Sequence, residues 1–273
     1  MTVFMPTTLT EALEIRRAED ATPMAGGTDL LVHWPEQLER HDRDYLDLWG
    51  LDELRLIEWS DDTLELGALT TYWDVITDAR VGAAFPLLVD AARQVGAVQI
   101  QSRGTWAGNI ANGSPAADGV PVLMAYGASV MIASSEERRE APLERFYSGY
   151  KEMDLAADEL IVAIRIPKRT YRHQRFIKVG SRRAQAIAKV GAAIVSNGSG
   201  WRVVASSVAP TIRRCPTIEA RISNGQPLAL PDDLLPAIRT DVSPIDDLRS
   251  TAAYREQVMS RVLYYAIEEM NDR

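Results

Sequence analysis

Between Gln99 and Asp118 the chain reads QIQSRGTWAGNIANGSPAAD, with Arg103 as its only charge before the closing aspartate. The stretch is rich in glycine, asparagine and small residues and follows neither helical nor strand periodicity. A polar loop of this length inside a compact chain is either functional or disordered. Thr105, Gly108, Asn109, Asn112 and Ser114 supply donors that need partners wherever they are buried. Those partners are either one another, in a satisfied turn network, or a bound polar ligand. Asp118 is placed to accept from a ribose hydroxyl or to cap the helix that follows.

A second unusual stretch is AGGTDLL at 25–31, where a short strand runs into paired glycines. Adjacent glycines let backbone N–H groups turn inward and approach an anion closely, although a plain structural turn is the commoner use of such a pair. Neither stretch is a Walker loop or a GxGxxG fingerprint.

Composition closes off other classes. The 273 residues carry a net charge of -8, which argues against nucleic acid or an anionic membrane surface as the main partner. The lone Cys215 excludes an internal disulfide, and the chain alone cannot ligate an iron–sulfur cluster or a cysteine-rich zinc site. Gly119–Ala133, the longest uncharged apolar stretch, is broken by Pro121 and Gly127 and is too short to span a bilayer. The N-terminus lacks a basic region followed by an apolar one, so a signal peptide is not expected and a cytoplasmic location is. His33, His41 and His173 lack metal-ligand spacing, and no GxSxG elbow offers a nucleophile. Arg182-Arg183 reads as a solvated pair or a docking point for NAD phosphate, and Asp232-Asp233 and Asp246-Asp247 as solvated or capping acids.

Periodicity predicts a helix over 9–19, strands at 22–25, 45–48 and 64–66, and a helix around 72–76. A longer helix over 83–95 ends at Gly96, and a short helix near 120–126 precedes strands at 128–133 and 160–166. KRTYRHQ (168–174) reads as a linker. Strands follow at 175–179, 190–195 and 201–205, the last two joined by a hairpin at Asn197-Gly198. The acidic, proline-rich 227–247 reads as surface loop, and 250–270 as a final amphipathic helix. The mixture is α+β in two domains.

Taken together, AGGTDLL and RGTWAGNIANGSPAAD resemble the two flavin-binding segments of the molybdenum hydroxylases, in the medium, FAD-binding subunit of xanthine dehydrogenase-like and carbon monoxide dehydrogenase-like enzymes. The resemblance continues through FYSGYKEMDLAADELIVAIRIP, RFIKVGSRRAQAIAKVGAAIV and DDLRSTAAYREQVMSRVL, in the right order along nearly the whole chain. It implies a PCMH-type FAD-binding domain of two lobes over 1–168 and a small α+β domain like that of carbon monoxide dehydrogenase flavoproteins over 169–273. It also implies that Pro23, Met24, Ala25, Gly26, Gly27, Thr28, Asp29 and Leu30 wrap the FAD pyrophosphate, with Thr105, Gly108 and Asn109 on its other side. By the same resemblance Asp118 holds the adenosine half, Leu160 packs on the isoalloxazine and Lys178 contacts the cofactor, with Val95 lining the ring. A cation near the flavin N1 and C2 carbonyl favours the anionic reduced form.

One departure stands out. The family shows two consecutive glycines where this chain has Ala107-Gly108, and Trp106 replaces a smaller apolar residue. If the backbone at Ala107 needs a positive φ, its Cβ adds strain of about 1 kcal/mol and FAD binding weakens. Functionally, the resemblance implies an enzyme subunit that takes electrons from [2Fe-2S] clusters on a small partner and passes them to NAD or another acceptor. Molybdopterin and the substrate site then lie on a large partner subunit, in a heterotrimer or its dimer. The alternatives are an assembly subunit with weakened FAD binding, or a self-contained flavin oxidoreductase of the same superfamily.

Overall fold

A computed structural model describes residues 1–32, 43–225 and 227–271. The first lobe is a small parallel sheet in which β1 (Val3–Phe4) and β2 (Ala21–Met24) flank β3 (Asp44–Asp47). The crossover is α1 (Leu9–Ala18), capped by Thr8, whose hydroxyl accepts from the Glu11 N–H at 3.2 Å. Leu9, Ala12 and Leu13 recur at helical spacing and are the residues it buries.

The second lobe is built on an antiparallel sheet of β4 (Ile57–Trp59), β5 (Thr63–Gly67), β6 (Ser129–Ala133), β7 (Arg138–Pro142) and β10 (Leu160–Pro167), with β8 (Tyr147–Gly149) and β9 (Glu152–Met153) as a separate hairpin. β10 is central, in the order β4-β5-β10-β6-β7, and its apolar run buries Leu160 to Ile164 and Ile166. Six short helices pack beside it: α2 (Tyr72–Thr77), α3 (Ala79–Ala84), α4 (Pro86–Ala92), α5 (Val98–Gln101), α6 (Trp106–Ala111) and α7 (Gly119–Ala125).

Two expectations change here. The helix expected over 83–95 is divided at Phe85 into α3 and α4, because Pro86 has no N–H to continue the first helix and suits the opening turn of the second. The stretch 99–118 is not all loop: it holds the end of α5 and the whole of α6. The Thr105 hydroxyl caps α6 by accepting from the Gly108 N–H at 3.0 Å.

The C-terminal part is an antiparallel meander of β11 (His173–Val179), β12 (Val190–Asn197), β13 (Gly200–Ser206) and β14 (Arg213–Arg214), followed by α8 (Pro216–Ser223), α9 (Leu235–Asp241) and α10 (Ala252–Asn271). Asn197 pairs with Gly200, which makes the expected hairpin. Residues 227–247 differ from the expected surface loop, because α9 buries Leu235 and Ile238 and the turn before it buries Leu234.

Side chains alternate across a strand, and here both faces are covered. Ala193, Val195 and Val204 join the core of the first part, while Val190, Ala192, Ile194, Val203 and Ala205 join a second core under α8, α9 and α10. α7 is the element wedged against β12 and β13 from the first side. Among the described residues, no helix is long and apolar enough to cross a membrane.

Candidate flavin site

The two glycine-bearing segments, far apart in sequence, meet backbone to backbone. A Cβ placed on Gly26 would stand 1.7 Å from the Arg103 carbonyl oxygen, so only glycine permits this approach. Gly27 follows with φ +71°, the left-handed conformation that glycine adopts without strain. Pro23 and Met24 are fixed by pairing with Leu46 and Asp47, and the Met24 carbonyl accepts from the Leu48 N–H at 2.9 Å. Ala25 and Thr28 lie half-buried, and Leu30 opens a single 3₁₀ turn. Asn112 Nδ2 donates to Asp29 Oδ1 at 3.1 Å, a second tie between the segments. Arg103 stacks over the Trp49 ring at 3.7 Å, which anchors the contact from outside.

Behind this seam, Tyr72 N–H donates to the Gly104 carbonyl and Trp106 N–H to that of Thr70. The Trp106 indole is fully buried, with its ring 5.0 Å from Tyr72. Its Nε1 and the neighbouring Asn109 Oδ1 are buried without a hydrogen-bond partner. Unsatisfied buried polar atoms are rare, and finding a donor and an acceptor orphaned on one short helix suits a segment that receives a polar ligand. Ala107 has no positive φ and lies inside α6, so the strain considered for it is absent.

Asp118 makes no capping bond to α7. Its carboxylate accepts instead from Lys178 Nζ at 2.6 Å, and the same ammonium donates to the Gln94 carbonyl at 2.8 Å. The two side chains are only 13% and 8% exposed, so Lys178 is not the solvated lysine its sequence context also allows. Burial pushes the Asp118 carboxyl up to about 6, and the ammonium holds back part of that rise. The pair joins β11 to the segment before α7 and so bridges the two parts of the chain. Val95, next to Gln94, packs against the first core.

Leu160 is buried at the start of β10, and α6 packs against that strand. Just before it, Glu159 accepts from Arg139 Nε at 2.6 Å and Nη2 at 2.8 Å, and from the Ala156 N–H at 2.7 Å. Arg139 holds the Glu159 carboxyl below the usual carboxylate range. Sequence reading missed this pair, because an arginine on an edge strand carries no signal of which acid it will meet twenty residues on.

His173 stacks on Trp201 with ring centroids 5.7 Å apart, and His33 and His41 lie outside the described residues. Among the described residues, no group of histidine, cysteine and acids could hold a metal ion. Asp233 caps its turn through the Ala229 and Leu230 N–H groups, and Asp246 accepts from the Ala252 N–H. Cys215 is buried.

Two apposed loops, a pair of unsatisfied polar atoms and a bridging ion pair describe a protein that holds a large polar cofactor. The comparisons name the kind. Residues 1–169 match the family model for the FAD binding domain in molybdopterin dehydrogenase, and 175–270 that for the CO dehydrogenase flavoprotein C-terminal domain. The caffeine dehydrogenase subunit beta of a Pseudomonas species is 31% identical over 98% of this chain and 94% of its own length. The xanthine dehydrogenase FAD-binding subunit of Escherichia coli is 30% identical over 90% and 87%. The carbon monoxide dehydrogenase of Hydrogenophaga pseudoflava, solved without the Mo-pyranopterin moiety, superposes with a TM-score of 0.88 at 28% identity, covering 98% of this chain and 96% of that one. The chain belongs to the family of FAD-binding medium subunits of xanthine dehydrogenase- and carbon monoxide dehydrogenase-type oxidoreductases.

Proposed function

We propose that this chain is the electron-transfer subunit of a molybdenum hydroxylase. Electrons released at molybdopterin on a large subunit reach it through [2Fe-2S] clusters on a small subunit and leave to NAD or another acceptor. The assembly is a cytoplasmic heterotrimer or its dimer, and the chain divides at 168/169 into its cofactor domain and its C-terminal domain. When bound, FAD supplies the conversion between one-electron and two-electron transfer that such a junction needs.

The chain's own residues bind and orient. Backbone N–H groups of Gly26, Gly27, Thr28 and Asp29 would hold the pyrophosphate from one segment, with Thr105, Gly108 and Asn109 contributing from the other. Asp118 and Lys178, joined in one ion pair, would meet the same part of the cofactor, the carboxylate as acceptor for a hydroxyl and the ammonium as donor to a carbonyl. Leu160 presents an apolar surface to the ring and excludes water from it. No residue is assigned as a general acid or base.

The observation that carries this reading is the close backbone approach of Gly26 to Arg103, which brings the two glycine-bearing segments together. Its test is purification from the native host. A yellow complex containing molybdopterin and iron–sulfur subunits is the expected result. A colourless chain that FAD cannot reconstitute, or full substrate turnover by the isolated chain, overturns it.

A further inference from the structure

The motif DDLRSTAAYREQ has no part in the site described above, yet it supplies the most deeply buried cation among the described residues of the C-terminal domain. Arg255 on α10 is 4% exposed. Its Nη2 donates to Asp247 Oδ1 at 2.7 Å, and its Nη1 donates to the backbone carbonyl of Ser207. Asp247 is itself fixed, because the same oxygen accepts from the Arg249 and Ser250 N–H groups.

Ser207 is unusual in its own right. It is 6% exposed, and its φ of +65° places a residue with a Cβ in the left-handed region. All three of its polar groups are engaged with different parts of the chain. Its N–H donates to the Pro115 carbonyl at 2.7 Å, inside the segment between α6 and Asp118. Its hydroxyl donates to the Ala188 carbonyl at 3.0 Å, at the foot of β12. Its carbonyl takes the Arg255 guanidinium. A buried charge and a left-handed serine are both unfavourable unless the surroundings hold them, and such strain concentrates where a fold enforces a functional geometry. Here both meet just past the end of β13, where the chain bonds to Pro115 of the segment proposed to hold the flavin.

We propose that Ser207 and Arg255 are positioning residues for the cofactor: through Pro115 they set the segment between Asn109 and Asp118, so that the C-terminal domain controls how tightly and in what orientation FAD is held. Neither residue touches the cofactor. The proposal rests on the assignment of residues 105–118 to FAD.

The test titrates the full chain with FAD, following flavin fluorescence and the visible circular dichroism of the bound flavin. Arg255→Met weakens FAD binding about tenfold, the effect of one lost charge-assisted hydrogen bond, and alters the dichroism. Arg255→Lys, which keeps a donor for the Ser207 carbonyl, restores most of the affinity. Arg239→Ala, which breaks the exposed pair with Glu256, leaves binding unchanged. If Arg255→Met does not fold, Asp247→Asn decides, since it discharges the partner of the same guanidinium while keeping an acceptor oxygen for the Arg249 and Ser250 N–H groups. A folded Arg255→Met, or in its absence Asp247→Asn, with wild-type affinity and dichroism overturns the proposal. A wild-type chain that binds no FAD overturns the underlying assignment instead, and the two failures are distinct.

Discussion

Replacing Gly26 by alanine tests the reasoning where it is tightest. The new Cβ would lie 1.7 Å from the Arg103 carbonyl oxygen and 2.5 Å from its carbon. A tolerable carbon–oxygen approach is about 3.3 Å, so the two loops must part by about 1.6 Å. Backbone stands on both sides of the clash, and no flexible side-chain end can yield. The cost therefore falls at the upper end for overpacking, about 3 kcal/mol. For a chain of this size that lowers the melting temperature by roughly 6–12 °C. Parting the loops also loosens the donors that hold the ligand, and the loss of one or two charge-assisted hydrogen bonds lowers FAD affinity by roughly ten- to a hundredfold. Gly27→Ala is the internal comparison. Its φ of +71° is unfavourable for alanine, but the nearest atom to its Cβ is 3.5 Å away. It loses about 1 kcal/mol from backbone strain alone. Thermal unfolding and FAD titration of both variants give the ranking. A Gly26→Ala chain that melts and binds like the wild type, or a Gly27→Ala chain that is the more damaged of the two, refutes the clash.

Lys178→Met leaves the Asp118 carboxylate buried without its cation. Because the carboxyl sits at about 6 in the fold against 3.8 as its ordinary value, its contribution is fully present below pH 3.8 and is lost as pH rises toward 6. Without Lys178 the loss extends to higher pH, so the variant's deficit in the FAD-free chain is about 3 kcal/mol at pH 8 and smaller at pH 5. Equal deficits in denaturant unfolding at both values would count against the pairing. Glu159→Gln costs about 2 kcal/mol at pH 7 by loosening the Arg139 fork. The depressed carboxyl makes that contribution present above pH 4.5 and lost as pH falls through its folded value, so the gap between variant and wild type closes in acid. Ala107→Gly, which restores the family's second glycine, destabilises the chain by about 1 kcal/mol because the position is helical. A gain in stability on differential scanning calorimetry would show that the native backbone there is strained after all.

Much of the architecture was legible along the chain. Helical periodicity over 9–19 marked α1, and Asn197-Gly198 marked the hairpin between β12 and β13, because residue spacing and turns are local chemistry. The errors were also local competitions. Pro86 cut one long helix in two, and Leu234, Leu235 and Ile238 turned an apparent surface loop into part of a core. The stretch 99–118 looked aperiodic because its helices are too short to show a period.

The sequence by itself singled out the two segments proposed to hold the cofactor, since glycine pairs and a run of uncharged donors are properties of residue types. What only the tertiary structure decided is which of them touch. Asp118 and Lys178 are sixty residues apart and become partners because β11 passes the start of α7. Ser207 reaches Pro115 because β12 and β13 bury both faces, one on their own helices and one on α7. A strand records in its alternation that both faces are apolar, but not what will cover each of them. That is settled only when two cores compete for the same sheet.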